Sequence, residues 1–237
     1  MRRLIDVAIL GVLTIGQAPR GDLTPELERH LPAGSVLIER GALDRLARAE
    51  IAALAPVRDS HALTTRLRDA TSVVIDRDLL IPYLEDAIDV LEDNGADATL
   101  LVCTGTFPPL RHRRPHLDAE HLLVHGIAGL AESASEPGII VPLAGQREVM
   151  SERWRAALGR RVLADAADPY GHQPERLVAA AAVRLARRGA DLLVLDCMGF
   201  SESTRRAAAE NSGLPVILAR SLVGRLASEQ LCSLPAK

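Results

Sequence analysis

The sequence predicts an α/β protein of two lobes, each a parallel sheet covered by helices, with a ligand cleft between them. Three observations predict it. Aliphatic runs and helical patterns follow one another mostly in β-then-α order, which gives parallel sheets. A Gly-Gln loop ends the first strand of each half: Thr14-Ile15-Gly16-Gln17 and Leu143-Ala144-Gly145-Gln146. A later strand of each half ends in Cys-x-Gly, at Cys103-Thr104-Gly105 and Cys197-Met198-Gly199. The spacing between these landmarks differs in the two halves, so the duplication is diffuse.

Leu4 to Ile15 reads as a buried strand that ends at Gly16. Thr24 to His30 reads as a short helix, with Thr24 as cap and Pro25 at the first position. Ser35 to Ile38 is a strand, and Leu43 to Ala53 has helical spacing. Ala62 to Leu67 and Ser72 to Ile75 form a hairpin that interrupts the alternation. Asp78 to Asn94 is a helix closed by Asn94-Gly95, and Asp97 to Val102 a strand ending at Cys103. Pro108-Pro109 and the run Arg111 to Pro115 break any long element. Ala119 to Ala131 is helical, Gly138 to Leu143 a strand, Glu148 to Leu158 a helix, and Arg161 to Ala164 a strand. Pro174 to Arg188 is a helix, Leu192 to Asp196 a strand, and Thr204 to Asn211 a helix capped in Ser201-Glu202-Ser203. Pro215 to Leu218 and Arg220 to Leu231 are the last strand and helix. The expected division is residues 1–110 and 111–212, with 213–237 free to return to the first lobe.

Composition narrows the function. The 237 residues suffice for one large domain or two small ones. The net charge of −3 gives no electrostatic reason to expect nucleic acid, and 2% aromatics cannot supply base-stacking platforms. Three cysteines without a CxxC argue against a disulfide scaffold or structural zinc, so reduced thiols in the cytoplasm are expected. Met1-Arg2-Arg3 before an apolar run resembles a signal peptide superficially. Asp6 interrupts the run and no cleavage pattern follows, so a buried strand is the better reading. No apolar segment reaches the roughly 18 residues of a membrane span. There is no GxGxxG fingerprint and no P-loop, so neither nicotinamide nor ATP is expected, nor any other cofactor. A homodimer is the ordinary prior for a small metabolic enzyme.

The chemistry points to the cysteines. Parallel sheets bind ligands beyond the carboxyl ends of their strands, where Cys103, Cys197 and the loop Gly16 to Arg20 are all expected. If a helix began just after a cysteine, its N–H groups would lower the thiol pKa. A thiolate on one side of a carbon next to a carbonyl and a thiol on the other would exchange its proton and invert it. Gly105 and Gly199 would let backbone N–H groups approach a carboxylate or enolate. Thr104 and Thr106 offer hydroxyls, Met198 lines the second loop, Arg20 offers a fork for a carboxylate, and Gln17 an amide donor. Against this, a single buried cysteine is ordinarily a small core hydrophobe, as Cys232 in the terminal helix is read to be. His112, His116, His121 and Asp118 are metal-ligand types, but Arg111, Arg113 and Arg114 repel a cation. A solvated basic stretch, or a phosphate or carboxylate contact, fits them better.

Thr14 to Arg20, Cys103-Thr104-Gly105-x-Phe107-Pro108 and Asp196-Cys197-Met198-Gly199 resemble the motifs of the AroM family over nearly the whole chain. The paired cysteines also resemble the wider aspartate/glutamate/hydantoin racemase superfamily. That resemblance implies two flavodoxin-like lobes related by pseudo-twofold symmetry. It also implies cofactor-independent catalysis, with Cys103 and Cys197 in the catalytic positions. Amino-acid racemases of this type usually carry Asn-Thr after the first cysteine and Thr-His after the second. Thr104-Gly105 and Met198-Gly199 are closer to the hydantoin racemase form, so a cyclic amide or another small carboxylate with an acidic α-carbon is expected as much as an amino acid. Two other readings stay open: a decarboxylase or cis–trans isomerase with one dominant cysteine, and a binding or sensor protein without catalysis.

Overall fold

The structure is a computed structural model that describes residues 8–58 and 61–233. The first residues of the strand expected from Leu4, with Met1-Arg2-Arg3 and Asp6, lie outside the described residues. Two four-stranded sheets form, and every pairing within them is parallel. The first contains β1 (Ile9–Thr14), β2 (Val36–Gly41), β5 (Ala98–Leu101) and β6 (His116–Asp118), in the order β2-β1-β5-β6. The second contains β7 (Pro137–Val141), β8 (Leu163–Ala166), β9 (Leu192–Leu195) and β10 (Val216–Leu218), in the order β10-β9-β7-β8. Numbered from each lobe's own first strand, both orders are 2-1-3-4, the flavodoxin-like arrangement. β1 thus corresponds to β7 and β5 to β9. The Gly-Gln loops follow the first pair and the cysteines the second. The diffuse repeat in the sequence is one topology used twice.

The antiparallel hairpin of β3 (Ala62–Arg66) and β4 (Ser72–Asp76) is the interruption that the sequence predicts. It stands between α2 (Arg48–Ala53) and α3 (Arg77–Asp93). α1 (Thr24–Glu28) opens without a side-chain cap, and Thr24 is its first residue rather than its cap. The helix expected from Leu43 starts only at Arg48. Its first turn is lost because the Asp44 carboxylate accepts the N–H groups of Gly41 and Ala18, both at 2.8 Å. That local bonding holds a turn in place of a helix.

The strand β6 is absent from the sequence reading. The basic run before it is held by the acidic face of α3: Arg111 pairs with Asp89 at 2.7 Å and Arg113 with Glu92 at 2.8 Å. The run's carboxylate partners therefore come from its own chain. β6 carries the first sheet past residue 110, and β10 joins the second sheet. The last helix, α8 (Ala219–Cys232), leaves β10 and packs on α1 and on α4 (Ala119–Leu130). α4 and α8 leave corresponding edge strands, and their contact joins both lobes in one apolar core. That core contains Leu10 and Val12 of β1 and Val194 of β9. α5 (Arg147–Leu158), α6 (Pro174–Arg187) and α7 (Glu202–Ser212) cover the second lobe, the last capped by Ser201, which accepts the Thr204 N–H. Among the described residues no helix is long and apolar enough to cross a membrane.

Candidate active site

Cys103 and Cys197 each stand two residues beyond the end of a central strand, β5 and β9. Both line one cavity, together with Arg20, Thr104, Gly105, Thr106, Met198 and Gly199. The sequence therefore brings together eight of its nine candidates. Gln17 is not among the lining residues. Its amide donates to the Leu43 carbonyl and its oxygen accepts the Arg68 N–H, both at 3.1 Å, so it ties the loop to the hairpin.

The two cysteine loops share one local geometry. The Gly105 N–H donates to Cys103 Sγ at 3.3 Å, and the Gly199 N–H donates to Cys197 Sγ at 3.3 Å. The N–H groups of both glycines are thus engaged by the sulfurs. Neither cysteine opens a helix: α7 begins only at Glu202, and no helix follows Cys103 until Ala119. Each thiol instead closes the apolar core of its own lobe. Burial pushes Cys103 up to about 12, with Cys197 and Asp196 adding to it against the Gly105 N–H and Arg153. Burial likewise raises Cys197 to about 11, where Asp196 adds to it and the Gly199 N–H, Arg20 and Arg220 act against it. With no helix beginning behind either sulfur, the condition for a lowered thiol is not met, and one N–H and the cations do not offset the loss of water. Both sulfurs are raised for the same reason, burial.

Arg20 is buried, yet its fork is taken. Nε and Nη2 reach Asp22 at 2.7 and 2.8 Å, Nη1 reaches Thr14 Oγ1 at 3.1 Å, and Nη2 also donates to the Tyr170 hydroxyl at 3.1 Å. Burial alone would lower its pKa, but Asp22 and Tyr170 outweigh it and raise it. A substrate carboxylate cannot take this fork while Asp22 holds it.

Several lining residues escaped the sequence reading. Asp196, 1% exposed, precedes Cys197; its Oδ2 accepts the Trp154 Nε1–H at 2.6 Å, and its Oδ1 makes no hydrogen bond. Burial raises its pKa against Arg153, Trp154 and Thr104, which favours the neutral acid. A charge ending a fully aliphatic strand was the available signal. Arg153 of α5 donates to the Thr104 carbonyl at 3.1 Å and pairs with Glu120 at 2.7 Å. Tyr170 follows β8 in Asp168-Pro169-Tyr170-Gly171, which reads only as a turn. Behind the wall, Arg220 of α8 is 1% exposed and grips the Met198 carbonyl with Nε and Nη2 at 3.0 and 2.7 Å. The hairpin closes the remaining side with Ala62 to Thr65. His61, which also lines the cavity, lies close enough to Asp76 and Asp78 to share a cation with them. Asp76 is already the cap of α3, and His61 pairs with Asp78 at 2.9 Å, which accounts for their closeness.

The AroM protein family model matches residues 10–231. No curated protein matches the chain. Among solved structures it is similar to allantoin racemase from Klebsiella pneumoniae (TM-score 0.63, 15% identity, 97% of this chain and 90% of that one). It is similar to Picrophilus torridus aspartate racemase (TM-score 0.61, 12% identity, 95% and 94%). It is also similar to arylmalonate decarboxylase (TM-score 0.59, 14% identity, 97% and 94%). At these identities the likeness is one of fold, and that fold is racemase-like. The family match spans nearly all of the described chain: this protein belongs to the AroM family.

Proposed function

We propose that the protein is a cofactor-independent racemase-like isomerase of a small carboxylate or cyclic amide. Cys103 and Cys197 act as the acid and base on a carbon next to a carbonyl. One observation carries the reading: equivalent strand ends of two equivalent lobes deliver a thiol each to the walls of one cavity. The substrate's α-carbon lies between the thiols, one thiolate removing its proton and the opposite thiol returning one. Arg20, Thr104, Gly105, Thr106, Met198 and Gly199 form the surrounding pocket. Reduced thiols fit a cytoplasmic setting, and a homodimer is the assembly we expect.

The raising of both thiols by burial favours a second reading. With Cys197 at about 11, roughly one molecule in ten thousand holds its thiolate at pH 7. The free protein therefore presents two proton donors. A decarboxylase needs only one, to protonate the carbanion left by carbon dioxide.

The test is deuterium incorporation at the α-carbon in D₂O, over a panel of 2-substituted carboxylates, malonates and cyclic amides. The two-cysteine reading predicts exchange, and losses of about 100-fold or more in both Cys103→Ala and Cys197→Ala. Loss in one variant alone supports the decarboxylase. Tight binding without exchange or product in the parent protein rejects both and leaves a ligand sensor.

A further inference from the structure

We propose that Tyr170, backed by Arg20, is the residue that binds the substrate's carboxylate on the Cys197 side of the cavity. The inference rests on the reading of this cavity as a substrate site. It deepens that reading by choosing the carboxylate over the cyclic amide and naming its donor.

Arg20 would be the natural anion ligand, but Asp22 occupies its fork. What Arg20 does offer is one N–H from Nη2 to the Tyr170 oxygen at 3.1 Å. That bond fills an acceptor position on the phenol and leaves its own O–H to donate. Among the described residues no hydrogen bond from this O–H is found. A phenol that accepts from a guanidinium is also a stronger donor, because the two bonds polarise each other.

The place is right for a reacting carboxylate. A Cβ added at Gly199 would stand 2.7 Å from the Tyr170 oxygen, so the hydroxyl lies directly over this glycine. The Gly199 N–H is the one bonded to Cys197 Sγ. Hydroxyl and thiol therefore flank the same patch of wall. Two guanidinium groups flank the ring, Arg66 at 5.3 Å and Arg20 at 5.8 Å from its centre. Asp22 faces both cations, Arg66 at 3.7 Å. The phenol stays protonated, since burial holds its pKa above the ordinary value with the charge of Cys197 in the same direction. A carboxylate is acceptor-only and charged, so it gains more from such a donor than a neutral amide does. Arg20 acts through Tyr170 and is a positioning residue.

Alkylation with two reagents of one shape tests this without a known substrate. Iodoacetate and iodoacetamide both react by attack of the thiolate on the CH₂ group: a C–S bond forms, the C–I bond breaks, iodide leaves, and the thiol proton goes to the buffer. Only iodoacetate carries a carboxylate. The rate ratio of the two at Cys197, followed by mass spectrometry and divided by the ratio at exposed Cys232, reports carboxylate recognition. The expected normalised ratio is about tenfold in the parent protein and near one in Tyr170→Phe, with the iodoacetamide rate changed less than about twofold. A parent ratio near one, or a ratio kept in Tyr170→Phe, overturns the proposal. Should Tyr170→Phe not fold, protection of parent Cys197 from iodoacetamide decides: phenylacetate protects and phenylacetamide does not. Equal protection, or none, overturns it. These results stand apart from the two-cysteine reading, which is judged by deuterium exchange and the cysteine variants.

Discussion

Gln17 and Gln146, the glutamines of the two repeated Gly-Gln loops, hold the same hairpin from opposite lobes. Gln17 accepts the Arg68 N–H at its turn, at 3.1 Å, and Gln146 donates to the Ala62 carbonyl at its base, at 2.8 Å. The hairpin walls the cavity with Ala62 to Thr65. Its fit is close, since a Cβ at Gly16 would stand 2.3 Å from the Arg66 carbonyl oxygen. Gln146→Ala removes one anchor. It is expected to cost about 1 kcal/mol of stability and to speed iodoacetamide alkylation of Cys103 about threefold, by freeing one wall. An unchanged alkylation rate would show that the hairpin does not control access.

Trp154 and Asp196 make a second, buried pair. Trp154→Phe removes the hydrogen bond that the indole donates to this buried carboxyl and is expected to cost about 2–3 kcal/mol, read from urea unfolding at constant slope. A loss under about 0.5 kcal/mol would mean that the 2.6 Å contact carries no weight.

The same carboxyl sets a pH dependence. Burial raises Asp196 above its ordinary 3.8, against Arg153, Trp154 and Thr104. The native state then holds a proton that the unfolded chain releases. This group's contribution is whole below about pH 3.8 and is lost as pH rises through the folded value. Asp196→Asn removes that loss. Its stability relative to the parent is expected to improve between pH 4.5 and pH 7.5 in urea titrations. A difference that stays constant, or falls, contradicts the neutral acid.

Arg220 joins the second cysteine loop to the first lobe. It donates to the Met198 and Asp22 carbonyls and pairs with Glu26 at 3.1 Å. Arg220→Met strands these acceptors and is expected to cost about 3–5 kcal/mol. Arg220→Lys, which keeps charge but not the fork, is expected to fall between the two. Equal stability of the Met and Lys variants would show that charge without the fork contributes nothing.

Much of this architecture was legible because it is local. Aliphatic strands, Asn94-Gly95 after α3, Pro174 opening α6 and the Ser201 cap each act within a few residues. The cysteines were legible because the fold repeats and places equivalent positions at one cleft. What escaped depends on partners far along the chain. β6 pairs with β5 after a basic run whose Arg111 and Arg113 are held by α3, some twenty residues earlier. Arg220 looks like an ordinary surface charge until α8 crosses to α1. The polar groups of Gln17 are taken by Leu43 and Arg68, and the fork of Arg20 by Asp22. Tyr170 becomes a candidate only once Arg20 reaches it from 150 positions away.

The central claim is that Cys103 and Cys197 share one cavity and that the charge of Cys197 acts on Cys103. The direct measurement is the iodoacetamide rate of each cysteine against pH, in the parent and in Cys197→Ala, with Cys232 as internal reference. The account predicts midpoints near 12 for Cys103 and 11 for Cys197. It also predicts a fall in the Cys103 midpoint when Cys197 is removed, because the Cys197 charge is one cause of its rise. A Cys103 profile that does not move in Cys197→Ala, or that coincides with Cys232, would contradict it.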